Sequence, residues 1–263
     1  MTSQYASLTK TAIEAALSAG QLLKEGFGTS FSILSKPGKQ NLVTEYDKRS
    51  EKKIMEIILK QFPDHNILAE ESGKARSSQS PYTWIIDPLD GTVNFAHGIP
   101  MFCVSIGVAY QHEIVSAVIY HPLLDELFTA EKGQGAKLHQ TPLSVSKIDR
   151  LEEALIATGF PYNVDKNPLH CLEHFTQLQA MGIPIRRLGA AALDLCYVAA
   201  GRFDGYWEVS LQPWDVAAGK LIVQEAGGRI THYDGSERSV FNEDTVLATN
   251  GKIHEMMMTQ LRD

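Results

Sequence analysis

Residues 84–92 read WIIDPLDGT, an apolar run that ends in two aspartates three positions apart and then in Gly91-Thr92. A carboxylate at the end of a core strand is costly unless something cationic meets it. Two carboxylates brought to one side repel, and one must take up a proton unless a divalent cation lies between them. With oxygen ligands only, and no His or Cys nearby, the set favours Mg²⁺, Mn²⁺ or Ca²⁺ over zinc. Gly91-Thr92 adds the other half of the chemistry. If Thr92 opens a short helix through Val93 and Asn94, its leading N–H groups are free donors and make a phosphate site. Metal ligands beside an anion cradle suggest metal-assisted phosphoryl chemistry.

Two more acidic sites close core elements. Glu70-Glu71 follows Ile67-Leu68-Ala69, and Asp215 follows Trp214 where a helix opens in WDVAAG. Each has a plainer reading. Asp90 could be a turn residue, Glu70-Glu71 a solvated loop, and Asp215 a simple N-cap. The three sites together are harder to dismiss.

The elements around these residues follow from periodicity. Apolar residues at helical spacing over residues 5–23 predict an amphipathic helix, followed by a polar Pro-Gly loop at 35–40. A second helix carries Ile54, Ile57, Ile58 and Phe62 on one face and is closed by Pro63. Residues 66–69 read as a short strand and 72–81 as a polar loop. Pro88 disfavours regular structure at the residue before it, so the strand from Trp84 is expected to stop at Asp87. A turn there would bring Asp87 and Asp90 to the same side. Residues 101–131 look like a three-strand meander. From about residue 150 strands and helices alternate, which predicts two layered α/β halves, about 1–150 and 151–263, sharing one cleft within a single domain.

Bulk properties narrow the classes. The 263 residues are 44% hydrophobic and 21% charged, with a formal net charge of −7, which argues against a nucleic-acid backbone binder or an anionic-membrane anchor. Cys103, Cys171 and Cys196 are odd in number and widely spaced, so they read as buried thiols in a reducing compartment. No stretch has the length of a membrane span or the form of a signal peptide, and a cytoplasmic location is expected. His97, His121 and His139 lie near turns without ligand spacing and read as loop residues. Gly133-Gln134-Gly135 reads as a hairpin turn, since no phosphate-loop pattern accompanies it.

AEES at 69–72, WIIDPLDGTVNF at 84–95 and PWDVAAGKLIVQEAGG at 213–228 resemble the inositol monophosphatase family of Mg²⁺-dependent, lithium-sensitive phosphatases. NLVTEYDKRSE at 41–51 resembles the family's upstream Asp-bearing segment, and the likeness covers nearly the whole chain in order. RRLGAAALDLCYVAAGRFDGYWEV is most similar to the bacterial inositol-1-monophosphatases. The resemblance implies an α/β (α+β) fold, the layered αβαβα sandwich shared with fructose-1,6-bisphosphatases. It implies two or three Mg²⁺ ions on Glu70, Asp87, Asp90, Asp215 and the carbonyl of Leu89, with Li⁺ as an inhibitor. Gly91 and Thr92 would receive the phosphate, with Leu89, Asp90 and Asp215 also at the substrate. Glu70 and the Thr92 hydroxyl, oriented by Asp47, would activate water. Glu208 would read substrate hydroxyls, with Gly189, Ala190 and Ala191 lining the other wall and Arg186 in contact with substrate. A homodimer is implied as well.

The expected reaction is in-line attack by metal-activated water on a phosphate monoester, inositol-1-phosphate above all. Fructose-1,6-bisphosphate, 3′-phosphoadenosine nucleotides and histidinol phosphate are the alternatives the family offers. A carboxylate at Glu208 can accept from two adjacent hydroxyls and would repel a second phosphate, which favours a polyol monoester. Its plainer reading is a solvated strand residue. DPLDGT also resembles the DxDGT motif of haloacid-dehalogenase-type enzymes, but here the aspartates are three apart with a proline between them. The remaining alternative is a regulatory or binding protein that keeps the fold.

Overall fold

The computed structural model describes residues 4–35, 41–237, 239, 241 and 245–262. The loop expected at 35–40 lies outside them except for Ser35. The helices are α1 (Ala6–Gly26), α2 (Glu45–Gln61), α3 (Thr92–Ala96), α4 (Cys171–Ala180), α5 (Ala191–Ala199), α6 (Pro213–Glu225) and α7 (His254–Leu261). The strands of the first half are β1 (Ile33–Ser35), β2 (Leu42–Thr44), β3 (Asn66–Ala69), β4 (Gly73–Arg76) and β5 (Tyr82–Asp90). They continue with β6 (Cys103–Tyr110), β7 (Glu113–His121), β8 (Glu126–Glu131), β9 (Ala136–Leu138) and β10 (Thr141–Pro142). The second half holds β11 (Ile156–Thr158), β12 (Ile185–Arg186), β13 (Gly205–Val209), β14 (Arg229–Thr231) and β15 (Thr245–Thr249).

Alternation of side chains turns these elements into layers. In the eight-stranded sheet, ordered β10-β9-β8-β7-β6-β5-β3-β4, Trp84, Ile86, Val104, Ile106 and Val108 face α1 and α2. The small residues Ala12, Ala15, Ala16 and Ala19 form the buried stripe of α1 and let it lie close on the strands. The opposite face, with Ile85, Cys103, Ala117 and Phe128, packs on α5 and α6. Gly107 permits that approach, because a Cβ there would stand 3.1 Å from Ala217 Cβ. Tyr206, Val246 and Ala248 of the five-stranded sheet, ordered β12-β11-β13-β15-β14, close the same core from beyond the helices. Trp207, Val209 and Leu247 on its other face pack with Met257 and Met258 of α7 and Leu178 of α4. The result is the expected αβαβα sandwich.

The structure corrects three local expectations. The strand from Trp84 does not stop at Asp87; β5 runs through Pro88 to Asp90. Within the expected polar loop at 72–81, Gly73–Arg76 forms an edge strand against β3, mostly exposed and therefore without an apolar alternation to betray it. His121 is no loop residue: it ends β7 fully buried, 6.2 Å from the Phe102 ring. All three cysteines are buried and unpaired, as expected. Among the described residues no helix is long and apolar enough to cross a membrane.

Candidate active site

Asp87 pairs with Ser105 across the β5–β6 ladder, while Asp90 pairs with Cys103. Three steps on β5 therefore match two on β6, which is a one-residue bulge. In an unbroken strand, residues three apart point to opposite faces. The bulge puts Asp87 and Asp90 on one face, the face turned to α5 and α6. Pro88 fits inside it because proline has no N–H to lose from the ladder. Asp87 is 2% exposed, and its Oδ1 accepts from Leu89 N at 3.0 Å. Asp90 Oδ2 accepts from Ala192 N in the first turn of α5 at 2.8 Å, and the Cys103 thiol lies 3.6 Å from the same oxygen.

Asp215 comes from the other half of the chain. It is not the N-cap residue of α6, which is Gln212, but the third residue of the helix, and its Oδ2 closes a capping box by accepting from Gln212 N at 2.8 Å. Capping is not the whole account, because Asp215 also feels the charges of Asp90 and Glu70. Glu70 follows β3 in a turn whose start is fixed by Glu70 N donating to Ile86 O at 3.1 Å. Burial and then the neighbouring Glu70, Asp90 and Asp215 push the Asp87 carboxyl well above its usual range. Burial pushes Asp90 up to about 7, with Glu70 adding to the shift and the Ala192 N–H opposing it.

Oxygen chemistry fits this set to a hard divalent cation. Among the described residues, the charges acting most on Asp87, Asp90 and Asp215 are all negative. Buried carboxylates that chiefly feel one another's negative charge are favoured by a cation. Among the described residues no group of three or more His, Cys, Asp or Glu stands at a spacing that could hold a metal ion. Mg²⁺ asks for fewer, since it keeps several waters and takes one or two carboxylates at a time.

The Gly91-Thr92 turn stands against these carboxylates. Gly91 has φ +91°, and an added Cβ would meet Met101 O at 2.8 Å and Ala190 Cβ at 3.3 Å. The first bond of α3 is Phe95 N–H to Gly91 O at 3.0 Å, so the earlier N–H groups belong to no helical turn. Gly91→Ala is expected to lose about 2 kcal/mol from the strained backbone alone, more with the clash, and to melt roughly 5 °C lower by calorimetry. An unchanged melting temperature would show that this turn tolerates a side chain.

Thr92 is tied to two groups. Its Oγ1 lies 2.8 Å from Asp47 Oδ1 and 3.0 Å from Leu89 O. Asp47 is fully buried at the third position of α2, and its other oxygen accepts from Thr44 N at 2.7 Å and Thr44 Oγ1 at 2.6 Å. Burial raises the Asp47 pKa, and the Thr44 bonds oppose the rise.

On the far wall, Glu208 shares a face of β13 with Tyr206, whose phenol donates to Glu208 Oε2. Burial pushes Glu208 up to about 7, against the lowering effect of that phenol. Gly159 leaves room for it, since a Cβ there would collide with the carboxylate. Ala190 and Ala191 are buried at the start of α5, and Gly189 is exposed just before them.

Arg186 does not join them: it is exposed on the edge strand β12, and its Nη1 donates to Ile185 O at 3.2 Å. The cation that acts on Glu208 is the neighbouring Arg187, whose guanidinium lies 5.3 Å over the Phe160 ring. Sequence reasoning missed Arg187, and its only signal was adjacency to Arg186. It also missed Asn94, whose Nδ2 donates to Met101 O at 2.7 Å and Leu188 O at 2.8 Å and so ties α3 to the Gly189 wall. Nothing in the sequence pointed to Tyr162. Tyr162 is 52% exposed, and burial of the rest of its ring, then Glu70, Asp215, Asp90 and Asp87, push its phenol up to about 12.

Comparison with known proteins agrees with this architecture. The profile of the inositol monophosphatase family matches residues 4–263. The inositol-1-monophosphatase of Synechocystis sp. is 45% identical over 95% of this chain and 87% of its own length. The Nus factor SuhB of Haemophilus influenzae is 41% identical over 95% and 94%. The crystal structure of extragenic suppressor protein suhB from Bartonella henselae superposes with a TM-score of 0.90 at 40% identity, over 98% of this chain and 99% of that one.

Proposed function

The chain belongs to the inositol monophosphatase family of phosphoric monoester hydrolases, and from that premise we propose that it hydrolyses a small polyol phosphate, inositol-1-phosphate first, using Mg²⁺. The observation that carries the reading is the bulge that aligns Asp87 with Asp90 beside the Gly91-Thr92 turn. Glu70, Asp87, Asp90, Asp215 and the Leu89 carbonyl would hold the ions. When bound, they supply Lewis acidity that neutralises the phosphate and acidifies the attacking water.

The chain's own groups do the positioning. Gly91 and Thr92 N–H groups receive the phosphate oxygens. The Thr92 hydroxyl has one hydrogen; donated to Asp47 Oδ1, it leaves oxygen lone pairs to accept from the attacking water. Glu70 accepts the second hydrogen of that water and draws off its proton. Tyr206 occupies Glu208 Oε2 and leaves Oε1 to accept from a substrate hydroxyl. Two halves of one domain, about 1–150 and 151–263, contribute to the cleft, and the same reading expects a cytoplasmic homodimer inhibited by Li⁺.

Phosphate release measured with and without Mg²⁺ tests the activity, and relative kcat/KM on inositol-1-phosphate, fructose-1,6-bisphosphate, 3′-phosphoadenosine nucleotides and histidinol phosphate tests the substrate. Glu208→Gln should raise KM for inositol-1-phosphate by about tenfold, the worth of one hydrogen bond to a charged group, and leave 4-nitrophenyl phosphate hydrolysis unaffected. Equal losses on both esters would remove Glu208 from substrate reading. A second reading, a regulatory or binding protein on the same fold, is favoured by the Nus factor name of the Haemophilus relative. Absence of Mg²⁺-dependent phosphate release from every ester would turn the assignment that way.

A further inference from the structure

Helix α2 buries one stripe, made of Asp47, Ser50, Glu51, Ile54 and Ile58, at the spacing of a single helical face. Ile54 and Ile58 belong there as core. A serine and a glutamate do not, since a buried polar group is costly unless it is bonded. Ser50 is fully buried and Glu51 is 4% exposed.

Both side chains bond backbone far away in sequence. Ser50 Oγ donates to Pro88 O at 2.7 Å, and Glu51 Oε2 accepts from Glu71 N at 2.9 Å. One turn earlier, Asp47 accepts from Thr92. Three polar groups on one helix therefore grip three separate segments: the bulge between Asp87 and Asp90, the turn that carries Glu70, and the start of α3. The helix is itself well anchored. Its first turn is closed by the Thr44–Asp47 capping box, and Ile54 and Ile58 are fully buried in the core with α1.

We propose that Ser50 and Glu51 are positioning residues that preset the spacing of the cleft's ligand oxygens and thereby govern its affinity for divalent cations. Ser50 fixes the carbonyl next to Leu89, inside the segment that separates the two aspartates. Glu51 fixes the amide next to Glu70. Neither residue reaches substrate, so the effect falls on the ion first. The inference rests on the reading of the cleft as a Mg²⁺ site.

Mn²⁺ binding to the full-length protein without substrate, followed by electron paramagnetic resonance of the free ion, tests it, with thermal unfolding in EDTA as the check on folding. Ser50→Ala and Glu51→Ala are each expected to weaken Mn²⁺ binding about tenfold or more, the usual effect of removing a partner behind a metal ligand. Glu51→Gln keeps a carbonyl oxygen to accept from Glu71 N and should stay within about threefold of the parent. Parent-like Mn²⁺ affinity in both alanine variants overturns the inference and leaves the metal reading standing. Failure of the parent protein to bind Mn²⁺ overturns the metal reading itself, and the inference with it. A loss in Glu51→Gln equal to that in Glu51→Ala assigns the effect to charge and overturns positioning by hydrogen bond. Should Glu51→Ala lose its cooperative transition in EDTA, Ser50→Ala, a change of one oxygen, decides the matter alone.

Discussion

Asp90→Asn is expected to lower kcat/KM by about a thousandfold or more, because on the proposed reading Asp90 would be a ligand to the activating ion, worth several kcal/mol at the transition state, and each 1.36 kcal/mol is tenfold in rate. The substitution is nearly isosteric. The amide oxygen can still accept from Ala192 N, the bond that now fixes Asp90 Oδ2 at 2.8 Å. What disappears is the negative charge, in a place where burial and Glu70 already oppose it. The variant should therefore melt no lower than the parent in EDTA at pH 8, and should gain much less from added Mg²⁺. Loss of activity with a collapsed fold would point to a structural role, and full Mg²⁺-dependent activity would remove Asp90 from the ligand set.

The second large effect concerns stability and pH in the metal-free protein. Asp90 is raised from 3.8 to about 7 and Glu208 from 4.5 to about 7, in both cases chiefly by burial. A folded-state pKa above the unfolded one means that the folded protein binds more protons between those two values. The contribution of these groups is full below about pH 4 and is lost as pH rises through 7. The loss should be of the order of a few kcal/mol at pH 8.5, and the melting temperature in EDTA should fall by about 10 °C from pH 5.5. Mg²⁺ should restore about 2.7 kcal/mol when present at a hundred times its dissociation constant, and should do so most at high pH, where the carboxylates are charged. Calorimetry across pH with and without Mg²⁺ reads both effects. A metal-free profile that is flat or rises with pH contradicts the account of a cleft crowded with buried acids.

Several features of the site were legible without the fold. Asp87 and Asp90 follow an apolar run and Asp215 opens a helix of apolar content, and acids so close to core demand a partner. The switch from a meander to alternating strands and helices near residue 150 falls between the eight-stranded sheet, with strands over 66–142, and the five-stranded sheet, with strands over 156–249. Side-chain period alone then fixes which residues face α1 and α2 and which face α5 and α6, because burial follows the pleat.

Tertiary structure decided the register and the partners. The sequence placed a strand end at Asp87, since the proline after it argues locally against a strand. The ladder with Cys103 and Ser105 instead absorbs one extra residue, and that alone turns two aspartates of odd spacing to the same face. No local signal carries it, because it depends on what the next strand offers. The same holds for Arg187 against Arg186: Arg186 ends the two-residue edge strand β12, and it is Arg187, just past it, that acts on Glu208. It holds for Ser50 and Glu51 as well, which α2 turns inward onto backbone of Pro88 and Glu71. Residue types are chosen by the chemistry they must do and can be read one at a time. Which of them meet is set by packing between segments far apart in the chain, and only the folded molecule contains that information.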